Sequence, residues 1–266
     1  MMRIVLLCFM LCLSMVQPAE LPETEFCGLK NTAYQNGESA NYHVYYTLAG
    51  FFVFGGEANF NVTTVKLNGQ IVHHIIAEGK TNSFFDGFFK VRDRYESYID
   101  TISMQPLRFF RSIQEGSFKK NEVVTFNPAE NTATSQKGTF KVPQCVQDVI
   151  SSVYYARNID FNKYKTGDKI PFSMFIDDEV FNIYIRYLGK EIVKTKYGKF
   201  RAIKFRPLLL KGEIFKGGET MTVWASDDAN RIPVRIESAI SVGSIKVDLM
   251  GHRALRNPLS SLIRQR

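Results

Sequence analysis

The sequence predicts a mainly β protein: a strongly curved antiparallel sheet, half-open and barrel-like, with one central amphipathic helix near 143–158. Three observations lead there. Apolar and polar residues alternate with the two-residue period of half-buried strands over most of the chain. The breaks between these stretches are turn chemistry: Asn68-Gly69, Asp177-Asp178, Gly189-Lys190, Tyr197-Gly198, Gly217-Gly218 and Asp227 to Asn230. Successive strands also lie too close together for the long crossovers that parallel pairing needs, which leaves meanders. A sheet of this length must curl to cover a core.

The strands are read in order. Residues 42–48 (YHVYYTL) form the first, and after a break at Gly50 comes FFVFGGEANFNV. Residues 70–77 (QIVHHIIA), 89–99, 107–118 and 121–126 complete a first group. A second group comprises 170–176, 180–188 (VFNIYIRYL), 191–196, 200–206, 219–225 (ETMTVWA), 231–240 (RIPVRIESAI) and 242–249. Between the groups, PQCVQDVISSVYYARN places Val146, Val149, Ile150, Val153, Tyr154 and Arg157 at helical spacing. Pro143 suits a first helical turn, and the helix is a natural plug for the concave face of the sheet. Residues 251–266 carry basic residues and little periodicity, which predicts a disordered tail or a short terminal helix.

The chain opens with Arg3, an apolar run from Ile4 to Val16, then Pro18 and Ala19. This is the layout of a secretory signal over residues 1–19. The run is shorter than the ~20 residues of a membrane span. An uncleaved anchor is the alternative, and Cys8 and Cys12 lack the small residues that a lipoprotein signal places before its cysteine. Residues 20–250 form a single β-rich domain with no linker or low-complexity tract. The full chain carries a net charge of +8, and removing Arg3 leaves 8 − 1 = +7. That balance favours anionic surfaces such as acidic lipids or glycans, so peripheral contact with membrane or glycan is an expectation. No four consecutive Lys or Arg occur; the basic residues read as solvated strand faces and not as a nucleic-acid patch.

Beyond the leader, two cysteines remain, Cys27 and Cys145. In an oxidising compartment they form an expected disulfide, the alternative being two buried thiols. The link would close a long loop and contribute about 4–5 kcal/mol in the loop-entropy picture. Two distant cysteines and four scattered histidines do not make a zinc spacing, and His73 and His74 on one strand point to opposite faces. No metal or other cofactor is expected. Nucleophile elbows, metalloprotease helices, phosphate loops and dinucleotide fingerprints are absent from the sequence.

The segment FFDGFFKVRDRYESYID, residues 84–100, combines aromatic and charged residues densely. On a strand, Asp93 falls on a mostly apolar face with Tyr95, Ser97 and Ile99. In PLRFFRSIQEG, Arg111 is the matching anomaly of opposite charge. A hairpin centred near Ile102 would set Asp93 opposite Arg111, Tyr95 opposite Phe109, and Glu96 opposite Arg108. The cluster Phe84-Phe85-Asp86-Gly87-Phe88 ahead of it has no such structural explanation.

Several stretches occur together in one order: NGESANYHVYYTLAG, NSFFDGFFKVRDRYESYID, PLRFFRSIQEGSF, QDVISSVYYAR, TKYGKFRAIKFRP, WASDDANRIPVRIES and VGSIKVDL. The chain in this respect resembles the exported bacterial family of domain of unknown function 3108 over roughly residues 36–250. The resemblance implies a protein of the Gram-negative periplasm, which makes the sequon Asn61-Val62-Thr63 irrelevant. It supplies no catalytic residue. More loosely, the tryptophan strand, acidic turn and RIPVRIE are similar to the half-barrels of periplasmic lipoprotein carriers, an analogy of fold alone.

The expected function is non-enzymatic binding of an apolar or amphipathic envelope ligand, lipid-like in character, or of a partner protein. With 22 Phe and 12 Tyr the chain has more aromatic surface than closing a sheet requires. The expected binding residues are Phe84, Phe85, Phe88 and Phe89 near Tyr154 and Tyr155. Two rivals stand beside it: an assembly factor that binds anionic glycan through a basic face, and a hydrolase using Asp93 with Asp148 or Glu115.

Overall fold

A computed structural model describes residues 27–48, 51–211, 217–240 and 243–265; the expected secretory signal over residues 1–19 lies outside them. One antiparallel sheet dominates. Its first meander contains β1 (Ser39–Leu48), β2 (Phe51–Leu67), β3 (Gln70–Thr81), β4 (Arg92–Asp100), β5 (Pro106–Glu115), β6 (Phe118–Asn127), β7 (Thr132–Ser135) and β8 (Gly138–Lys141). The second contains β9 (Lys169–Ile176), β10 (Glu179–Lys194), β11 (Gly198–Pro207), β12 (Met221–Ser226), β13 (Pro233–Ala239) and β14 (Ser244–Arg253). The two meanders join where β1 pairs with β14, from Ser39 opposite Arg253 to Thr47 opposite Ser244. This leaves β8 at one end of the hydrogen-bonded order and β9 at the other, so the sheet does not close into a barrel.

The ends of the sheet are nevertheless sewn together. The segment leaving β8 lays Gln147 beside β9: its amide donates to Ser173 O and its carbonyl accepts from Phe175 N, both at 2.9 Å. The Phe175 ring packs on Phe126 and Phe140. The β9–β10 turn adds a second seam. Asp177 and Asp178 both adopt positive φ (57° and 65°), the conformation of a tight hairpin turn that Asp tolerates. Their carboxylates reach the opposite end of the sheet, where Asp177 meets Arg111 and Lys120 while Asp178 meets Ser135 and Lys137. Arg111 is itself buried against Glu122 at 2.7 Å.

Helix α2 (Val149–Ala156) is shorter than the sequence pattern suggests. Pro143 does not begin it. Asp148 caps it, accepting the Ile150 and Ser151 amides at 2.8 Å, and the Asp148 amide in turn donates to Ser151 Oγ. Asp148 also accepts the Ser97 hydroxyl of β4 at 2.6 Å, which fixes the helix on the sheet. The face with Ile150, Tyr154, Tyr155 and Ala156 is buried in the main core with Ile75, Phe109, Phe161 and Phe175. A smaller core around Tyr42, Phe200, Trp224 and Leu249 is covered by Leu255, Leu259 and Leu262.

Further sequence expectations are corrected. Residues 251–265 are not a disordered tail or helix: β14 runs to Arg253, and β15 (Leu262–Gln265) pairs with β11. Gly189 does not end a strand but bulges β10, at φ 97°, so 180–188 and 191–196 are one element. Strands β7 and β8 are too short for an alternating pattern to reveal. The β4–β5 register is shifted by two residues, with Tyr95 opposite Arg111 and Tyr98 opposite Arg108. Neither Asp93–Arg111 nor Glu96–Arg108 is formed: Asp93 accepts the Gln114 amide, and Glu96 pairs with Arg94 and His74. The cause is local. Asp100 accepts the Ile102 and Ser103 amides and donates its own amide to Gln105 O, while Met104 takes φ 60°. The turn is thereby centred one residue later, with a bulge at Ile99. The shift is even, so Ser97, Ile99, Phe109 and Arg111 still face inward as expected, and Tyr95 still meets Phe109 diagonally at 6.4 Å.

Cys27 and Cys145 form a disulfide across 118 residues, tying the N-terminal segment to the strap between β8 and α2. The double substitution Cys27→Ser with Cys145→Ser is expected to lower unfolding stability by about 2–5 kcal/mol. Glu38 and Arg157 form a buried ion pair, 2% and 4% exposed, in which Arg157 Nη1 donates to Glu38 Oε1 at 2.5 Å. Arg157→Met strands the carboxylate and is expected to cost about 3–5 kcal/mol in urea unfolding, whereas Glu38→Gln with Arg157→Met costs less than the sum of the single changes.

Candidate functional site

The start of β2 breaks strand logic. A half-buried strand alternates, yet Phe51, Phe52, Val53 and Phe54 are 75%, 54%, 45% and 37% exposed in succession. This end of the β1–β2 pair therefore projects past the core with apolar side chains on both faces. Beside it, residues after β3 form the single turn α1 (Ser83–Asp86). Asn82 caps the turn by accepting the Phe85 amide at 3.0 Å, and ties it to β2 by donating its side chain to Phe54 O at 2.7 Å and its amide to Gly55 O at 2.9 Å. Asp86 accepts two bonds from Arg92, at 3.0 and 2.6 Å.

That frame aims the phenylalanines outward. Phe84 and Phe88 are 64% and 76% exposed and lie 5.4 Å apart between ring centroids. Phe85 turns inward, against Tyr46 at 5.9 Å and over Gly55, which leaves room for its ring. Phe89 lies against Gly116, whose φ of 63° favours glycine and where a Cβ would come within 2.8 Å of the ring. Phe118 adds another exposed ring. Together these residues make an aromatic rim along one end of the sheet. A groove of about 220 Å³ adjoins it beneath Phe52, on β12, β13, β14 and β1. A second cavity, beside Cys145, is only about 10 Å³, room for no more than a water.

The expected site is thus divided. Phe84, Phe85, Phe88 and Phe89 do cluster, but Tyr154 and Tyr155 are core residues, 3% and 1% exposed. Tyr154 packs edge-on against Tyr34, and the Tyr155 hydroxyl accepts the Leu29 amide at 3.2 Å. Sequence reasoning passed over Phe51 to Phe54 as ordinary strand, although four apolar residues without alternation were the available signal.

The carboxylates proposed for acid–base work resolve differently. Asp148 is fully buried and spends its oxygens on the helix cap and Ser97. Asp93 does meet Glu115, by a side-chain hydrogen bond, and burial pushes its carboxyl up to about 6. Carboxyls in direct contact stand closer than the ~5–9.5 Å separations used in two-carboxylate glycoside hydrolysis. Basic side chains on the outer faces are extensively answered by neighbours: Lys80 by Glu57, Arg94 by Glu78, Arg186 by Glu219, Lys204 by Glu191 and Lys246 by Glu237. Such pairing reduces the field that a polyanion would feel.

Burial likewise raises the Asp148 carboxyl to about 6. The folded state then holds this proton more tightly than the unfolded chain, so its contribution favours folding below the ordinary carboxylate pKa of about 4 and declines as pH rises toward 6. Glu219, held down at about 2 by Arg186 and Tyr184, acts in the opposite sense. The Asp148 contribution is therefore read by difference: wild type is expected to lose stability relative to Asp148→Asn between about pH 4 and 7. Parallel pH profiles from urea unfolding would refute the assignment.

The family model described as protein of unknown function DUF3108 matches residues 41–250. No curated protein matches the chain. Among solved structures, the chain is similar to a β-barrel-like DUF1849 protein from Brucella abortus, at TM-score 0.51 and 9% identity, covering 82% of this chain and 97% of that one. It also matches a candidate exported protein with a YmcC-like fold from Bacteroides fragilis, at TM-score 0.36 and 12% identity, covering 85% and 100% of the two chains. A candidate lipoprotein from Parabacteroides distasonis matches at TM-score 0.36 and 14% identity, covering 83% and 97%. The likeness to the Brucella abortus protein supports the fold.

Proposed function

The chain belongs to the DUF3108 family of unknown function, and from that premise we propose that it is an exported envelope protein of a Gram-negative cell that binds an amphipathic, lipid-like molecule without chemistry. Export is supported by the apolar leader from Ile4 to Val16 and by the Cys27–Cys145 disulfide, a bond that persists in oxidising compartments.

The observation that carries the binding assignment is the aromatic rim. Phe51, Phe52, Phe84 and Phe88 are each more than half exposed and lie at one end of the sheet. Isolated surface phenylalanines need no explanation, but exposed rings gathered at one end of a sheet, with Phe84 and Phe88 in contact on a built frame, mark a contact for apolar material. The frame is specific: Asn82 bonds α1 to β2, and the Asp86–Arg92 pair ties it to the start of β4, with Phe84 and Phe88 outward. An acyl chain lying across the rim would cover these rings, with its polar head left at the edge.

Titration of the mature protein with fluorescent lysophosphatidylcholine below its micellar concentration tests this. The double change Phe84→Ser with Phe88→Ser is expected to weaken binding about tenfold or more, since each ring loses apolar contact worth on the order of 1 kcal/mol. Its thermal unfolding should stay close to wild type because both rings are exposed. Equal binding by the variant, or none by the wild type, would reject the proposal.

A further inference from the structure

The groove beside the rim has a chemistry of its own. Two successive rows of one sheet face form its floor. In the first, Thr222, Glu237 and Lys246 stand side by side on β12, β13 and β14. In the second, Ala239, Ser244, Thr47 and Phe52 follow across β13, β14, β1 and β2. Neighbouring strands bring these side chains within about 5 Å of one another. The Glu237 carboxylate lies 3.1 Å from Lys246 Nζ, so acceptor and donor sit at the centre with no net charge. Lys246 also lies over the Phe52 ring at 3.9 Å. The Thr47 hydroxyl is buried at the groove wall with no hydrogen-bond partner among the described residues.

We infer that this groove is a binding site for an uncharged, hydroxyl-rich ring, a neutral saccharide residue. A carboxylate accepts from adjacent ligand hydroxyls, an ammonium donates to one, and threonine and serine hydroxyls do either. The orphan Thr47 hydroxyl gains the partner it lacks, and filling such a buried vacancy is worth more than an average exposed bond. Phe52 and Ala239 supply the apolar edge that C–H groups of a sugar ring require. Because Glu237 already answers Lys246, a phosphate or carboxylate would have to displace an ion pair and then face the freed carboxylate. The volume, about 220 Å³, lies below the 300–1,000 Å³ typical of drug-sized ligands and suits one ring rather than a chain. The site shares only Phe52 with the rim and stands whether or not the rim binds lipid.

The test uses the mature protein with methyl β-glucoside as probe and saturation-transfer NMR as readout. Saturation is expected to pass to the sugar ring protons, with amide shifts at residues 237, 244 and 246. Glu237→Gln and Thr47→Val should each weaken the interaction about fivefold, one hydrogen bond's worth. The Phe84→Ser, Phe88→Ser protein should bind the sugar as wild type does, even where it has lost lysophosphatidylcholine. Should a groove variant fail to fold, the wild-type amide shifts decide the matter. Absence of transfer, shifts that map elsewhere, undiminished binding in both folded groove variants, or displacement of the sugar by inorganic phosphate would each overturn the assignment.

Discussion

Arg157 is the point on which the architecture turns. It ends α2, it is 4% exposed, and every part of its guanidinium is committed. Nε donates to Asn230 O at 2.9 Å, Nη1 to Glu38, and Nη2 to Glu38 and Ala33 O. Its plane lies over Tyr34 and Tyr154. Three separated pieces of chain meet at this one group: the N-terminal segment leading into β1, the helix and the β12–β13 turn. Asn230 extends the reach to the C-terminal segment by donating to Asn257 O and Pro258 O. A buried charge tolerates few arrangements, so the pair with Glu38 holds these pieces in one relation.

The same economy governs the ends of the sheet. A barrel would satisfy its edges by hydrogen bonding throughout. Here the edges are answered by a strap, a disulfide and a turn: Gln147 against β9, Cys145 bonded to Cys27, and Asp177 and Asp178 reaching across to β5 and to the β7–β8 hairpin. With this seam sealed and α2 filling the interior, the exposed phenylalanines collect at one rim. The position of the candidate site is thus a consequence of how the sheet is closed, and the phenylalanines that no core absorbs are those that α1 and β2 hold outward.

The hairpin between β4 and β5 shows how far the sequence could be read. The alternation in RDRYESYI placed Ser97 and Ile99 inside with Phe109 and Arg111, and they are inside. The partner of Arg111 was not legible, because Glu122 and Asp177 come to it from β6 and from the β9–β10 turn. The aromatic cluster at Phe84 to Phe89 was legible as an anomaly, and the unbroken apolar run of its companions Phe51 to Phe54 was a signal of the same kind. Tyr154 and Tyr155 read as neighbours of that cluster and proved to belong to the core, since a helical stripe does not say which end of the sheet it faces.

The sequence by itself determined the class of fold, the meanders, the existence of the helix and the two cysteines that pair. Those properties reside in neighbouring residues: side-chain alternation, turn residues that accept positive φ, and a 3.6-residue stripe. Only the tertiary structure decided the β4–β5 register, the partners of Arg111, Arg157 and Asp148, the ordering of residues 251–265 and the convergence of rim and groove at Phe52. Each depends on chain segments far apart in sequence meeting when the sheet curls, and a local pattern carries no record of which distant residue will stand opposite.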